Sequence, residues 1–161
     1  MQEVVIILGG NQGNVPDTFR KCEERFEALG YKLVDISSLY SSPPWGFDSK
    51  NMFYNRIMVF ETNKNPQYVL DDCLMIEGEL GRIRNTSENY EDRIIDIDIL
   101  FYGEEIVVEE HLMIPHPRLH ERKFCLVPLQ EIMPDFVHPG LEKTIRTLLG
   151  ECEDESKITR E

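Results

Sequence analysis

The sequence predicts an α+β fold, the ferredoxin-like βαββαβ sandwich, in which an antiparallel sheet carries helices on one face and loops on the other. Two observations predict it. The chain has amphipathic helical patterns over residues 16–29 and 65–80, and four strand patterns. Their order along the chain is strand, helix, strand, strand, helix, strand. Each helical pattern has a proline at its first or second residue, Pro16 or Pro66, and is followed by a glycine, as helices often are. The 161 residues are expected to form a single domain, 1–161.

The first strand and helix are predicted within the first 30 residues. The apolar run 4–8 ends at a glycine-rich turn, 9–14, as a buried strand does when it enters a flexible turn. The helix then begins near Pro16 and ends before Gly30. Such a turn can bind phosphate, but this one matches neither the Walker motif nor the dinucleotide-binding motif.

Two further strands, 31–40 and 53–62, are predicted on either side of a loop over 41–51. The loop contains two consecutive prolines, which remove backbone donors and fix the backbone. It also carries Phe47 and the single tryptophan, Trp45, and is therefore more apolar than a solvated connection. Two interpretations stay open: a loop that packs aromatic rings on the core, or a lid over a flat ligand.

The second helix carries Glu77 within its apolar side, where a carboxylate either marks the edge of the stripe or contacts a ligand. The polar, non-periodic segment 82–93 follows and predicts a mobile loop. Arg82, Arg84 and Arg93 lie at its ends. These arginines are either solvated surface residues or residues placed to bind phosphate.

The fourth strand, 93–102, places two carboxylates on one face. Alternation separates two sets of side chains: Ile95, Ile97, Ile99 and Phe101 on one face, Asp96, Asp98, Leu100 and Tyr102 on the other. The two aspartates then lie about 6.6 Å apart at their Cα atoms. They repel by roughly 2.5 kcal/mol at an effective dielectric constant near 20. The pair therefore predicts a site for a hard cation such as Mg²⁺; the alternative is an edge strand with a solvated polar face.

A basic segment, 114–124, follows the acidic connection after the fourth strand. The prolines on both sides of His116 exclude a helix there, so His116 and His120 do not form the helical pair of a zinc protease. The segment contains a second basic cluster: Arg118, Arg122 and Lys123.

Three weaker patterns complete the chain. Residues 107–108 predict a short edge strand, and 124–132 a third, short helix in spite of Pro128. The acidic tail from about residue 151 is poor in core-forming residues, and we expect it to fray.

Composition excludes several classes of protein. A net charge of −13 argues against a nucleic-acid-binding surface, although a local arginine cluster can still bind a small anion. No apolar run is long enough for a membrane helix, and the N-terminus lacks the features of a signal peptide. Four scattered cysteines predict reduced thiols and a cytoplasmic location.

Five segments together resemble the 6-hydroxymethyl-7,8-dihydropterin pyrophosphokinase family of the folate pathway. They agree in order and spacing over nearly the whole chain: Ser42-Pro43-Pro44-Trp45-Gly46, Phe53-Tyr54-Asn55, Gly81-Arg82-Ile83-Arg84, Arg93-Ile94-Ile95-Asp96-Ile97-Asp98-Ile99-Leu100, and Ile114-Pro115-His116-Pro117-Arg118 through Phe124. The resemblance implies transfer of the terminal diphosphate of ATP to the hydroxymethyl group of the pterin, with release of AMP. We also expect a monomer that binds neither nucleic acid nor membrane.

The resemblance also implies a role for each site residue. Asp96 and Asp98 would hold two Mg²⁺ ions bound with ATP, and Arg82 and Arg93 would be catalytic. ATP would be bound by Glu77, Arg84, Ile99, His116, Arg118 and Arg122. The pterin would lie against Ser42, Pro43, Pro44, Trp45, Gly46, Phe53, Asn55 and Phe124, stacked between the two phenylalanines.

The chain departs from the pattern of the family at several positions. The usual aromatic-Gly-Pro-Arg before the aspartates is Tyr90-Glu91-Asp92-Arg93 here, and Gly10 replaces a common serine. Two other classes of function stay open: a ligand-sensing module, in which Asp96→Asn leaves ligand affinity intact, and a nucleic-acid-binding sheet, with salt-sensitive affinity.

Overall fold

The computed structural model describes residues 1–44, 51–82 and 92–161. The described elements follow in chain order: β1 (Gln2–Gly10), α1 (Val15–Ala28), β2 (Lys32–Ile36), β3 (Tyr40–Ser42), β4 (Phe53–Thr62), α2 (Pro66–Glu79), β5 (Asp96–Tyr102), β6 (Val107–Glu109), β7 (Leu112–Ile114), a 3₁₀ turn (Leu119–Glu121), α3 (Lys123–Ile132), α4 (Ile145–Glu151) and β8 (Thr159–Arg160).

Local sequence explains where the two long helices begin. The Asn14 side chain accepts a hydrogen bond from the Asp17 N–H at 3.2 Å, and Asn65 accepts one from the Tyr68 N–H at 3.0 Å. These bonds satisfy backbone donors that have no partner within the helix. Each asparagine is followed within two residues by a proline in the first turn. Both predicted helices are therefore confirmed.

Within the described residues, six strands form one sheet in the order β5-β1-β4-β3-β8, with β2 also paired to β4. All pairs are antiparallel. β1 lies between β4 and β5, and its residues from Val4 to Gly10 are buried because helices cover both faces of the sheet. The predicted edge strand at residues 107–108 forms β6, which pairs with β7 in a separate hairpin.

The sheet has an apolar core on each face. Val4, Ile6 and Leu8 pack with residues of α1 and α2, whereas Val5 and Ile7 pack with residues of α3 and α4. The helices α1 and α2 lie on one face, as the ferredoxin-like plan predicts. The later helices α3 and α4 follow the βαββαβ unit and pack on the opposite face, where the sequence predicted loops alone. Their position makes α3 one wall of the cavity described below.

The alternation predicted for the fourth strand fails after Ile99. The register shifts where Val5 pairs with Phe101 and Ile6 with Ile99, so Leu100 is an extra residue. This β-bulge turns Phe101 toward the same core as Leu100, and Tyr102 toward the opposite core. The prediction was wrong for Phe101 and Tyr102, but the aspartates precede the bulge and keep their common face.

The segment predicted as one strand, 31–40, forms two strands, β2 and β3. Ser37 lies between them, and its hydroxyl accepts the Ile57 N–H at 2.9 Å. A side chain thus replaces a backbone carbonyl in the ladder, and the regular strand stops there. β3 continues along the same edge of β4 and ends at Ser42.

The C-terminal tail pairs with the sheet instead of fraying. β8 pairs with β3, Tyr40 opposite Arg160 and Ser41 opposite Thr159. The Glu161 N–H also donates to the Leu39 carbonyl at 2.9 Å. Backbone pairing to an exposed sheet edge does not need apolar side chains, which is why composition predicted the wrong outcome.

All four cysteines are free, and three of them are buried. Among the described residues, no helix is both long and apolar enough to cross a bilayer.

Candidate active site

A cavity of about 320 Å³ opens on the α3 face of the sheet. It brings together most of the residues predicted for the site: Ser42, Pro43, Phe53, Asn55, Arg93, Asp96, Asp98, Arg118, Arg122 and Phe124. Aromatic and amide groups from β4 and α3 therefore share one space with carboxylates from β5 and three arginines. Pro44 is described but does not line it, and Trp45, Gly46 and Arg84 lie outside the described residues.

Two glycines at the end of β1 let neighbouring groups approach the strand closely. A Cβ atom at Gly9 would lie 2.9 Å from the Asn55 amide nitrogen, and one at Gly10 would lie 2.6 Å from the Ile94 carbonyl oxygen. Asn55 is buried and donates to the Leu8 carbonyl at 3.3 Å. Gly9 therefore allows Asn55 to occupy its place in the cavity wall.

Asp96 is held by two arginines. Its Oδ1 accepts a hydrogen bond from Arg82 Nη1 at 2.7 Å, and its Oδ2 accepts one from Arg93 Nη1 at 3.1 Å. All three side chains are largely removed from solvent. Arg82 and Arg93, two of the three arginines predicted at the ends of the polar loop, therefore converge on the first carboxylate of the pair.

Asp98 has a different environment. Burial, and next to it the charge of Asp96, raise the pKa of Asp98 to about 7, although Arg122 and Arg82 act in the opposite direction. A carboxylate whose charge is opposed in this way gains most from a bound cation. Oxygen donors on one strand face are the ligands that Mg²⁺ prefers, so the residues present fit that ion.

Glu77 is buried and accepts hydrogen bonds from two groups next to the carboxylate pair. Its Oε1 accepts the Ile97 N–H at 3.0 Å, and its Oε2 accepts Arg82 Nη1 at 2.9 Å. Glu77 does not line the cavity. In this structure it fixes β5 and Arg82; the contact with ATP that the resemblance implies stays a prediction.

Asn11, which no sequence motif singled out, binds the base of the polar loop. Its Nδ2 donates to Asp92 Oδ1 at 2.6 Å, and its Oδ1 accepts the Arg93 N–H at 2.7 Å. The Asn11 N–H donates to the Arg93 carbonyl at 2.9 Å. These three bonds fix the backbone of Arg93 beside the cavity.

His116 and Ile99 line a second cavity of about 300 Å³, beside the β6–β7 hairpin, and Asp98 lines both cavities. Burial, and next to it the positive charge of Arg122, lower the pKa of His116 to about 4. The Nδ1 atom of His116 accepts the Arg118 N–H at 3.2 Å. Because Nδ1 accepts a hydrogen bond, the neutral ring carries its proton on Nε2, and the Nε2–H can donate to a ligand.

Asp154 is a cavity residue that no sequence pattern predicted, because it lies in the tail that we expected to fray. It lines the first cavity next to Phe124 and Arg122. The Arg122 guanidinium lies over the Phe124 ring, 5.7 Å from its centroid. No pattern in the sequence pairs the tail with the start of α3.

The chain is similar to known proteins in sequence and in fold. Residues 5–134 match the family model for 7,8-dihydro-6-hydroxymethylpterin-pyrophosphokinase. A Methylorubrum extorquens protein named 2-amino-4-hydroxy-6-hydroxymethyldihydropteridine pyrophosphokinase is 37% identical over an aligned length of 161 residues, and the alignment covers 99% of each chain. The Pneumocystis carinii folic acid synthesis protein fol1 is 40% identical over 138 residues, or 86% of this chain, but the chain spans only 18% of its length.

A crystal structure of Plasmodium falciparum HPPK-DHPS has a similar fold. It superposes with a TM-score of 0.76 at 18% sequence identity, covering 93% of this chain and 45% of that one. At this identity, the likeness concerns the fold alone.

Proposed function

Because the chain belongs to the 7,8-dihydro-6-hydroxymethylpterin-pyrophosphokinase family, we propose that the cavity between β4, β5 and α3 is its active site. The reaction of the family is pyrophosphoryl transfer to hydroxymethyldihydropterin in folate synthesis. The pterin hydroxyl oxygen forms a bond to the β-phosphorus of ATP, the bond from that phosphorus to the α-phosphate oxygen breaks, and AMP leaves. The hydroxyl proton is released.

One observation carries the assignment of the site. The same cavity contains Phe53, Asn55 and Phe124 together with Asp96 and Asp98. A flat bicyclic ring fits between aromatic side chains, with amide groups to bind its polar edge. Carboxylates and arginines fit the phosphate chain, because phosphoryl transfer depends mainly on positioning and charge neutralisation.

We propose that Asp96 and Asp98 hold two Mg²⁺ ions with ATP. When bound, the ions neutralise the developing charge on the phosphates. Asp98 supports this assignment, because burial and Asp96 both oppose its own negative charge. In the free protein Arg82 and Arg93 contact Asp96; in the complex we expect them to donate to phosphate oxygens.

The remaining predicted residues have supporting roles in this proposal. Arg118 and Arg122 line the same cavity and bind phosphates, while His116 and Ile99 line the adjoining cavity and contact the nucleoside. Arg84, Trp45 and Gly46 keep the ATP and pterin contacts that the resemblance implies. We also propose that the protein is cytoplasmic and a monomer. Size-exclusion chromatography with light scattering tests the monomeric state.

Product identity tests the proposal. The protein is incubated with ATP, Mg²⁺ and 6-hydroxymethyl-7,8-dihydropterin, and the products are separated by chromatography. We expect AMP and the pterin diphosphate in equal amounts, and their loss in Asp96→Asn. Release of ADP, or turnover without added Mg²⁺, would contradict the proposal. Asp71→Asn, an exposed change on α2, is the control for the altered charge.

A further inference from the structure

The segment after α4 contacts two walls of the cavity. Asp154 lies beside the first residue of α3, and its carboxylate accepts a hydrogen bond from the Lys123 N–H at 3.0 Å. Further on, β8 pairs with β3, the strand that ends at the cavity residue Ser42. The Ser41 hydroxyl also bonds the Glu161 carboxylate. The tail therefore joins the α3 wall to the β3 wall.

The Asp154 carboxylate is itself fixed in place. Its second oxygen accepts hydrogen bonds from the Ser156 N–H at 2.9 Å and from the Ser156 hydroxyl at 2.5 Å. Burial alone raises the pKa of Asp154, but the bonds from Ser156 and from the Lys123 N–H outweigh burial and lower it below the usual value. The carboxylate therefore stays charged beside the positive end of α3, where negative charge stabilises a helix.

Helix α3 has no side-chain capping bond from its own N-cap residue. Arg122 occupies the N-cap position and makes no side-chain capping bond. The Lys123 N–H is instead bonded by a residue 31 positions further along the chain. Lys123 lies between Arg122 and Phe124, so a shift at the start of α3 moves both side chains in the cavity.

We propose that Asp154 is a positioning residue of the pterin pocket, which holds the first turn of α3, and with it the Phe124 ring, at the distance from β4 that the pterin requires. The inference rests on the proposed function of the cavity. The residues matched by the family model end at 134, so Asp154 lies beyond them. Because its oxygens already bond protein groups, Asp154 acts through α3.

The test is direct titration of 6-hydroxymethyl-7,8-dihydropterin into the protein with an unreactive ATP analogue and Mg²⁺, by isothermal calorimetry. Asp154→Ala removes the acceptor of the Lys123 N–H, whereas Asp154→Asn keeps an acceptor oxygen but removes the charge. Glu155→Gln removes the same charge from an exposed neighbour. We expect the pterin Kd to rise about fivefold or more in Asp154→Ala, in line with loss of a helix cap, and about twofold or less in Asp154→Asn.

The nucleotide affinity and the melting temperature separate positioning from general destabilisation. A merely structural role would lower the melting temperature of Asp154→Ala and leave the pterin Kd of the folded protein unchanged, and that result would overturn the inference. Equal weakening in Asp154→Ala and Asp154→Asn would also overturn it, because it would indicate a charge that contacts the ligand.

A milder variant covers the case in which Asp154→Ala does not fold. Ser156→Ala removes one of the bonds that hold the carboxylate, and we expect a smaller rise of the pterin Kd, about twofold. An unchanged Kd in a folded Ser156→Ala protein would then count against the inference. Wild-type protein that binds no pterin would refute the proposed function itself, and that outcome is visible before any variant is compared.

Discussion

At the scale of single residues, the two carboxylates of β5 differ in a way that can be measured. Asp96 is bonded by two arginines, whereas burial and the charge of Asp96 raise the pKa of Asp98 to about 7. Between about pH 4 and pH 7 the folded protein therefore binds more protons at Asp98 than the unfolded chain does. Stability of the metal-free protein decreases as the pH rises through this range.

Asp98→Asn should remove this pH dependence. We expect the variant to be more stable than wild type at pH 8 without metal, on the order of 1 kcal/mol or more, and equal to it near pH 4. Thermal melts in EDTA from pH 4 to pH 8 measure the difference. Parallel curves for the two proteins would show that the Asp98 carboxylate is not destabilised by its surroundings. Turnover with Mg²⁺ should be lost at every pH.

Asn11 supplies a second prediction at this scale. Asn11→Ala removes the side-chain bonds to Asp92 and to the Arg93 N–H, so we expect kcat to fall about tenfold or more, because Arg93 is displaced. Asn14→Ala is a matched control, since it removes a cap of α1 and costs about 1 kcal/mol of stability. Steady-state kinetics and melts of both variants check this. Equal kcat values of Asn11→Ala and Asn14→Ala would refute the positioning of Arg93 by Asn11.

At the scale of elements, the contact between β1 and the base of the polar loop depends on a glycine. A side chain at Gly10 would meet the Ile94 carbonyl oxygen at 2.6 Å, whereas one at Gly78, within α2, would meet nothing within 4 Å. We expect Gly10→Ala to lower stability and kcat together. Gly78→Ala should raise stability by about 0.5–1 kcal/mol without affecting kcat. Denaturant unfolding distinguishes the two, and a Gly10→Ala protein with wild-type kcat would contradict this view of the loop base.

The same elements show what sequence patterns can and cannot predict. The continuous apolar run of β1 and the helical periods of α1 and α2 predicted their positions, because β1 is buried on both faces and each helix buries one regular face. The face of β5 was predicted only as far as Ile99, since a bulge depends on the register with β1 and has no mark in the strand itself. Asp154 could not be predicted for a similar reason: its bond to Lys123 joins segments that only the packing of α4 brings together.

At the scale of the whole molecule, the charge distribution agrees with small anionic ligands. The chain has a net charge of −13, yet the cavity contains Arg93, Arg118 and Arg122. An acidic surface disfavours nucleic acid, while the three arginines offer phosphates positively charged partners beside the four carboxylates of the same cavity, Asp96, Asp98, Glu121 and Asp154. Helices pack on both faces of the sheet. As a result, α3 brings Arg122 and Phe124 to the face on which the aspartates of β5 lie.

The central claim is that this one cavity holds the pterin and the phosphate chain of ATP together. A crystal structure with an unreactive ATP analogue, Mg²⁺ and 6-hydroxymethyl-7,8-dihydropterin tests it most directly. We predict density for the pterin ring between Phe53 and Phe124, and density for metal ions between the phosphates and the carboxylates of Asp96 and Asp98. A pterin bound outside this cavity, or phosphates that contact neither aspartate through a metal ion, would contradict the claim.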